Sequence, residues 1–206
     1  MKFISRTIAL ISTTMLIIVA SHGSLYATAQ ISDTFIFKGN EYSLIGKTGG
    51  DLATPKQFGM SAVMIHTACY RGYYATYELT KEGLLLRKLT LREKDGNYLP
   101  ILGISPVINT KEQKATYSNL HVIVQFSGKI RLAKDFIREL YIHMGHQKPT
   151  AFKTVLDITL KDGRVVEIKD RSEEMEKKRG AFKEAYESGE MKKSIEDAFS
   201  LDMKLE

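Results

Sequence analysis

The sequence predicts an α+β fold built mainly on an antiparallel sheet. Three observations predict it: four short apolar–polar alternations each broken by a glycine, a helical apolar stripe between the last two, and a charge-rich helical C-terminus. The alternations are TFIFKGNEYSLI, ATYELTKEGLLLRKLTL, HVIVQFSGKIRL and TVLDITLKDGRVVEI. Each reads as a β-hairpin that reverses at Gly39, Gly83, Gly128 or Gly163, because glycine takes the positive φ that tight turns require. The acidic-glycine pairs at Glu82-Gly83 and Asp162-Gly163, each preceded by lysine, suit three-residue connections. Val165, Glu167 and Lys169 against Val166 and Ile168 suggest a sheet with one wet face.

In chain order, the first element is a leader. Lys2 and Arg6 precede an apolar run from Thr7 to Ala20, and a polar stretch then ends at Ala27-Thr28-Ala29. A positive head, a short apolar middle and small residues before the cut make a secretory signal peptide, in bacterial style, over residues 1–29. Cleavage is placed between Ala29 and Gln30. The apolar run is too short to span a bilayer, which needs about 20 residues. The expected product is exported, periplasmic or secreted, with no integral membrane span after signal removal.

Residues 30–206 suit a single α+β domain. The hairpins suggest an internal duplication, with halves 33–92 and 120–171 each ordered hairpin–helix–hairpin. In each half a Phe-x-Gly hairpin comes first and an acidic-glycine hairpin follows, with an Ile-His pair between them. In the second half, Leu132, Phe136, Ile137, Leu140 and Tyr141 fall at helical spacing, which predicts a helix at about 131–144. In the first, Thr54-Pro55 opens a segment that Gly59 weakens, so a shorter or broken helix is expected there. Residues 93–119 join the halves and lack periodicity. They read as a long ordered loop, because Leu99, Ile101, Leu102, Ile104 and Val107 favour burial. Ser172 with Glu173 and Glu174 then starts the first of two helices over 172–203. The run EEMEKKR within it is a solvated helix face.

Charge excludes one class of function. Lys+Arg number 30 and Asp+Glu 24. Lys2 and Arg6 leave with the leader, so the mature excess is four, mixed along the chain with no basic stripe. Nucleic acid is therefore not an expected partner. GKTGG at 46–50 ends like a phosphate-binding loop, but no glycine stands at the required upstream position and no helix pattern follows. No cofactor signature appears.

The residues that merit attention are few. Cys69 is the only cysteine. Catalysis would pair it with His66 or His143 as base, giving a thiol- or histidine-dependent hydrolase. The other readings are an intermolecular disulfide and, as the leading one, a small buried hydrophobe. His143 and His146 stand three apart, near metal-ligand spacing, but no third ligand is specified. Tyr70, Arg71, Tyr73 and Tyr77 surround the cysteine in sequence and form a candidate binding surface, since aromatics with arginine favour interfaces. The leading expectation is a non-enzymatic exported binding or interaction protein. It would take a protein or polymer ligand of the envelope through the tyrosine-rich strand and the 93–119 segment. The alternatives are the hydrolase and a purely structural module of an envelope assembly.

Overall fold

The chain is seen in a computed structural model that describes residues 29–142 and 145–187. Residues 1–28 of the expected leader, His143 and the expected second C-terminal helix therefore lie outside the described residues. Ten strands make one mixed sheet: β1 (Thr34–Phe37), β2 (Asn40–Gly49), β3 (Tyr73–Leu79), β4 (Leu84–Leu91), β5 (Val107–Asn109), β6 (Lys114–Tyr117), β7 (Val122–Ile123), β8 (Gly128–Phe136), β9 (Phe152–Lys161) and β10 (Arg164–Asp170). Among the described residues one α-helix, α1 (Ser172–Glu187), follows. The strand order is β10-β9-β8-β2-β1-β3-β4-β6-β5, with β7 paired to β4 beside β6. The fold is mostly β, with the helix as an addition to the sheet.

Every strand pair is antiparallel except β1 with β3. Residues 50–72 connect β2 to β3 across β1, with a 3-10 turn at Pro55–Phe58 where the sequence suggests a short helix. Three of the four glycine-marked reversals join paired antiparallel strands: β1–β2, β3–β4 and β9–β10. Two of these are two-residue turns in which both residues have positive φ, Lys38 (50°) with Gly39 (74°) and Asp162 (49°) with Gly163 (77°). That geometry matches the strand twist, so the Asp162-Gly163 connection is one residue shorter than the sequence reading.

The reversal at Gly128 does not form a hairpin. β7 pairs with β4, through Leu85–Ile123 and Leu86–Val122, while β8 lies between β2 and β9. The chain between them links β4 to the β9–β10 turn. Val124 N–H bonds Leu84 O, and Gly163 N–H bonds Phe126 O. A methyl group on Gly163 would sit 2.5 Å from Val124 O, so only glycine admits this contact.

The helix expected at 131–144 is also corrected. Residues 131–136 continue β8, and a single 3-10 turn at Arg138–Leu140 follows. Alternation explains why: Ile130 and Leu132 enter the main core, while Ala133 packs in a second cluster on the opposite face. Neighbours on both sides satisfy the backbone of β8, which overrides the helical spacing. The 93–119 segment holds the β5–β6 hairpin and is not simply a loop. Of its apolar residues, Ile101 is buried and Ile104 packs on the core, but Leu99, Leu102 and Val107 remain exposed.

The main core lies on one face, where Phe35 stacks on Tyr77 at 5.0 Å between ring centroids. Leu84, Leu86, Leu89, Ile130, Ile158 and Phe126 fill around that pair. The other face carries α1, whose Met175 packs with Ala133, Phe152 and Val155. A buried carboxylate fixes the helix there. Asp157 accepts two bonds from Arg131, at 2.6 and 2.8 Å, and one from Arg171 at 3.1 Å. Arg171 also bonds Glu174 in the first turn of the helix. Val155 N–H bonds Ser172 Oγ, and Asp170 accepts Ser172 N–H.

The arginine bonds to Asp157, Arg131 first, hold its carboxyl below the usual carboxylate range against the opposing effect of burial. A depressed folded-state pKa adds stability above the unfolded value of about 4, and this is lost as pH falls through the folded value. Asp157→Ala is expected to cost about 3 kcal/mol at neutral pH, because it strands two arginines, each only about a third exposed. Denaturant unfolding should also show a weaker loss of stability with acid below pH 4 than the parent shows. An unchanged acid profile would remove Asp157 from this role.

Candidate functional site

The segment 63–73 is a set of tight turns packed beside β1. Cys69 N–H bonds His66 O, Gly72 N–H bonds Cys69 O, and Ile65 N–H bonds Cys69 O. Gly72 lets this knot close, since a methyl group there would lie 2.3 Å from Val63 O. The turns place Cys69 inward at 3% exposure, with its Sγ–H directed at Tyr73 O, 3.5 Å away. Burial pushes the thiol pKa up from its ordinary value, and the neighbouring Arg71 only partly offsets this. A raised pKa and a carbonyl partner leave little thiolate at neutral pH. His66 is exposed, and its Nδ1 accepts the Ala68 N–H at 3.2 Å. The imidazole thus serves its own turn.

The tyrosines separate. Tyr77 is fully buried, stacks on Phe35 and donates to Ala53 O at 3.1 Å. It presents no surface to a ligand. Tyr73 is half-buried beneath Arg71, whose guanidinium sits 4.6 Å from its ring centroid. Tyr70 projects into solvent with 76% exposure. Gln30 links this knot to the start of the described chain: its amide donates to Thr67 O and accepts from Tyr70 N–H.

Sequence reasoning missed the partner of Arg71. Asp33, at the entry to β1, is 3% exposed, forms an ion pair with Arg71 and accepts Ala75 N–H at 2.7 Å. Arg71 Nε donates to Tyr73 O at 2.8 Å. The pair is 38 residues apart in sequence, and no local pattern announces it. Lys47 of GKTGG and the exposed His146 line the same pocket as Asp33 and Arg71. Among the described residues, no cluster of three or more His, Cys, Asp or Glu could hold a metal.

A second feature centres on residues 93–113. Glu93 is buried and collects the backbone N–H groups of Asp95 (2.6 Å), Asn97 (3.0 Å) and Ser61 (3.3 Å). Burial opposes its ionisation, but those N–H groups prevail and hold its carboxyl below the usual range. Arg92 reaches the carbonyls of Met64, Glu112 and Gln113, which ties the β5–β6 turn to the knot. Between these anchors runs a groove of about 490 Å³, lined by Val63, Arg92, Lys94, Tyr98, Ile108 and Gln113 among others. Tyr117 fixes the neighbouring turn: buried and pushed up to about 12 in pKa, its hydroxyl donates to Leu99 O at 2.6 Å.

That turn repeats the backbone geometry of Lys38-Gly39 and Asp162-Gly163, but with an apolar residue in first place. Ile101 and Ile104 exchange two backbone bonds, of 3.0 and 2.9 Å, around Leu102 (φ 47°) and Gly103 (φ 80°). A left-handed conformation costs a residue with a Cβ roughly 1–2 kcal/mol. Leu102 is nevertheless the residue there, and its side chain is 74% exposed.

Comparison with known proteins finds no matching family model, no significantly similar curated protein and no significantly similar solved structure. The site therefore rests on its own geometry. If Cys69 is a core residue, iodoacetamide should label it at neutral pH only after denaturation. Rapid labelling of the folded chain, read by intact mass, would contradict that.

Proposed function

We propose that the chain is an exported interaction protein of the cell envelope, which recognises a protein partner through residues 99–109. The observation that carries this reading is Leu102, both strained and exposed at the tip of a tight turn. Strain of this kind persists where surrounding structure enforces it, and it concentrates at functional positions. Here the Tyr117–Leu99 bond and the two Ile101–Ile104 bonds enforce it. Neither the strain nor the exposure helps the isolated fold.

Neighbouring residues support the same surface. β5 is an edge strand whose three residues are all exposed, and two of them are the apolar Val107 (77%) and Ile108 (52%). The opposite edge, β10, also exposes two apolar residues, Val166 (59%) and Ile168 (43%), but sets them among charges. It carries Arg164, Glu167, Lys169 and Asp170 and a β-bulge between Val165 and Glu167, which discourage pairing with another chain. Ile108 also lines the 490 Å³ groove, so a side chain from a partner on β5 has a place to sit. Recognition at this surface needs no reactive thiol, in keeping with the buried Cys69. The leader over residues 1–29 supports export, and among the described residues no helix is long and apolar enough to cross a membrane.

Leu102→Asn tests this directly, because Asn-Gly is the preferred pair for this turn. The variant is expected to gain about 1 kcal/mol of stability by relief of strain. A photo-crosslinker at position 107 should meanwhile lose its discrete adducts in the Leu102→Asn background. One at exposed Lys81 should give none in either protein. A variant that is destabilised, or that keeps its adducts, would refute the reading.

A further inference from the structure

We propose that the pocket formed by Ile31, Ser32, Asp33, Leu44, Ile45, Lys47, Arg71 and His146 binds a short-chain aliphatic carboxylate. This site is separate from the 99–109 surface. Its volume is about 240 Å³, below the roughly 300–1,000 Å³ of pockets that take drug-sized ligands. The occupant is therefore small.

The anion-recognising group is set in advance. Arg71 is held by Asp33, by Tyr73 O at 2.8 Å and by the Tyr73 ring, so its guanidinium plane is fixed before a ligand arrives. Its Nε and Nη2 already serve Tyr73 O and Asp33, so a ligand carboxylate is left the remaining Nη N–H groups, held in a fixed plane that loses little entropy on binding. Lys47 supplies a second cation from β2. Its own partners are Gly50 O and Asp51, whose side chain is 80% exposed, so that pairing is weak and a ligand can compete with it. Ser32 adds a hydroxyl to the lining.

Charge and shape narrow the class. Arg71 and Lys47 against Asp33 leave one net positive charge on the lining, His146 aside. That balance favours a monoanion over a dianionic phosphate. Ile31, Leu44 and Ile45 add apolar lining that a purely polar anion would leave unused, with Leu44 also packed on the main core and Ile45 on the helix-side cluster. The β2–β8 register shifts between Leu44 and Gly46 in this lining. Such bulges re-aim side chains and are over-represented beside binding sites.

The test is an amide NMR titration of the protein with acetate, butyrate, hexanoate, inorganic phosphate and the neutral analogue butyramide. Butyrate should give saturable shifts at residues 45–47 and at Arg71. Affinity should rise about fourfold per methylene from acetate to butyrate. Butyramide should bind about tenfold more weakly, because it lacks the charge-assisted bond. Lys47→Ala should weaken butyrate about fivefold with an unchanged melting temperature. Arg71→Lys, which keeps the charge but not the planar guanidinium, should weaken it as well. Equal binding of butyramide, tighter binding of phosphate than of butyrate, or no saturable shift with any carboxylate would each overturn the proposal.

Discussion

The structure depends on the clamp that holds β1 against β3. β1 is four residues long, yet it joins the β2-β8-β9-β10 side of the sheet to the β3-β4-β6-β5 side. Its pairing with β3 is the one parallel strand pair among the described residues, and parallel neighbours need a crossover in place of a tight turn. Asp33 secures the join at its start by binding Ala75 N–H and Arg71, and the Phe35–Tyr77 stack secures it inside. A buried charge demands a partner, so the position of Arg71 follows from that of Asp33. The knot of turns that delivers Arg71 also delivers Cys69 inward.

The crossover serves a second purpose. Leu52, Ala53 and Met60 lie along it and cover the core on the open face of the sheet, where a helix stands in many α+β folds. The 98–104 turn and the 118–127 segment complete that cover, with Ile101, Leu120 and Phe126 as their buried contributions. Irregular chain can do this because its polar groups are satisfied locally. Glu93 gathers three N–H groups and Arg92 three carbonyls. The proposed recognition surface lies where this cover reaches its limit, with Leu102 and β5 turned outward from a framework that is itself well anchored.

Much of the strand content was legible because it is local. Gly39 and Gly163 mark two-residue reversals, and the alternation on either side of them fits the pleat. The reading failed where local pattern and partner disagreed. Leu132, Phe136, Ile137, Leu140 and Tyr141 match a helical stripe, but Ile130, Leu132 and Ala133 also alternate, and β2 and β9 on either side decide for a strand. The Gly128 turn resembles the others in sequence, yet β4 captures Val122 and Ile123 before β8 can. The candidate site was half legible: Arg71 stood out among tyrosines and Lys47 within GKTGG, while Asp33 did not, and nothing local grouped the three, because strands distant in sequence bring them together.

By itself the sequence determined the period-two segments, the positive-φ turns, a C-terminal helix opening at Ser172 and a lone thiol with no partner in the chain. Each of these follows from backbone geometry or side-chain chemistry within a few residues. Tertiary structure alone decided which strands are neighbours, that Tyr77 is core while Tyr70 is surface, and that Leu102 stays in solvent in a strained turn. Those outcomes depend on long-range pairing and burial, and the free energy of a side chain in a fold is settled by the neighbours that the whole chain assembles around it.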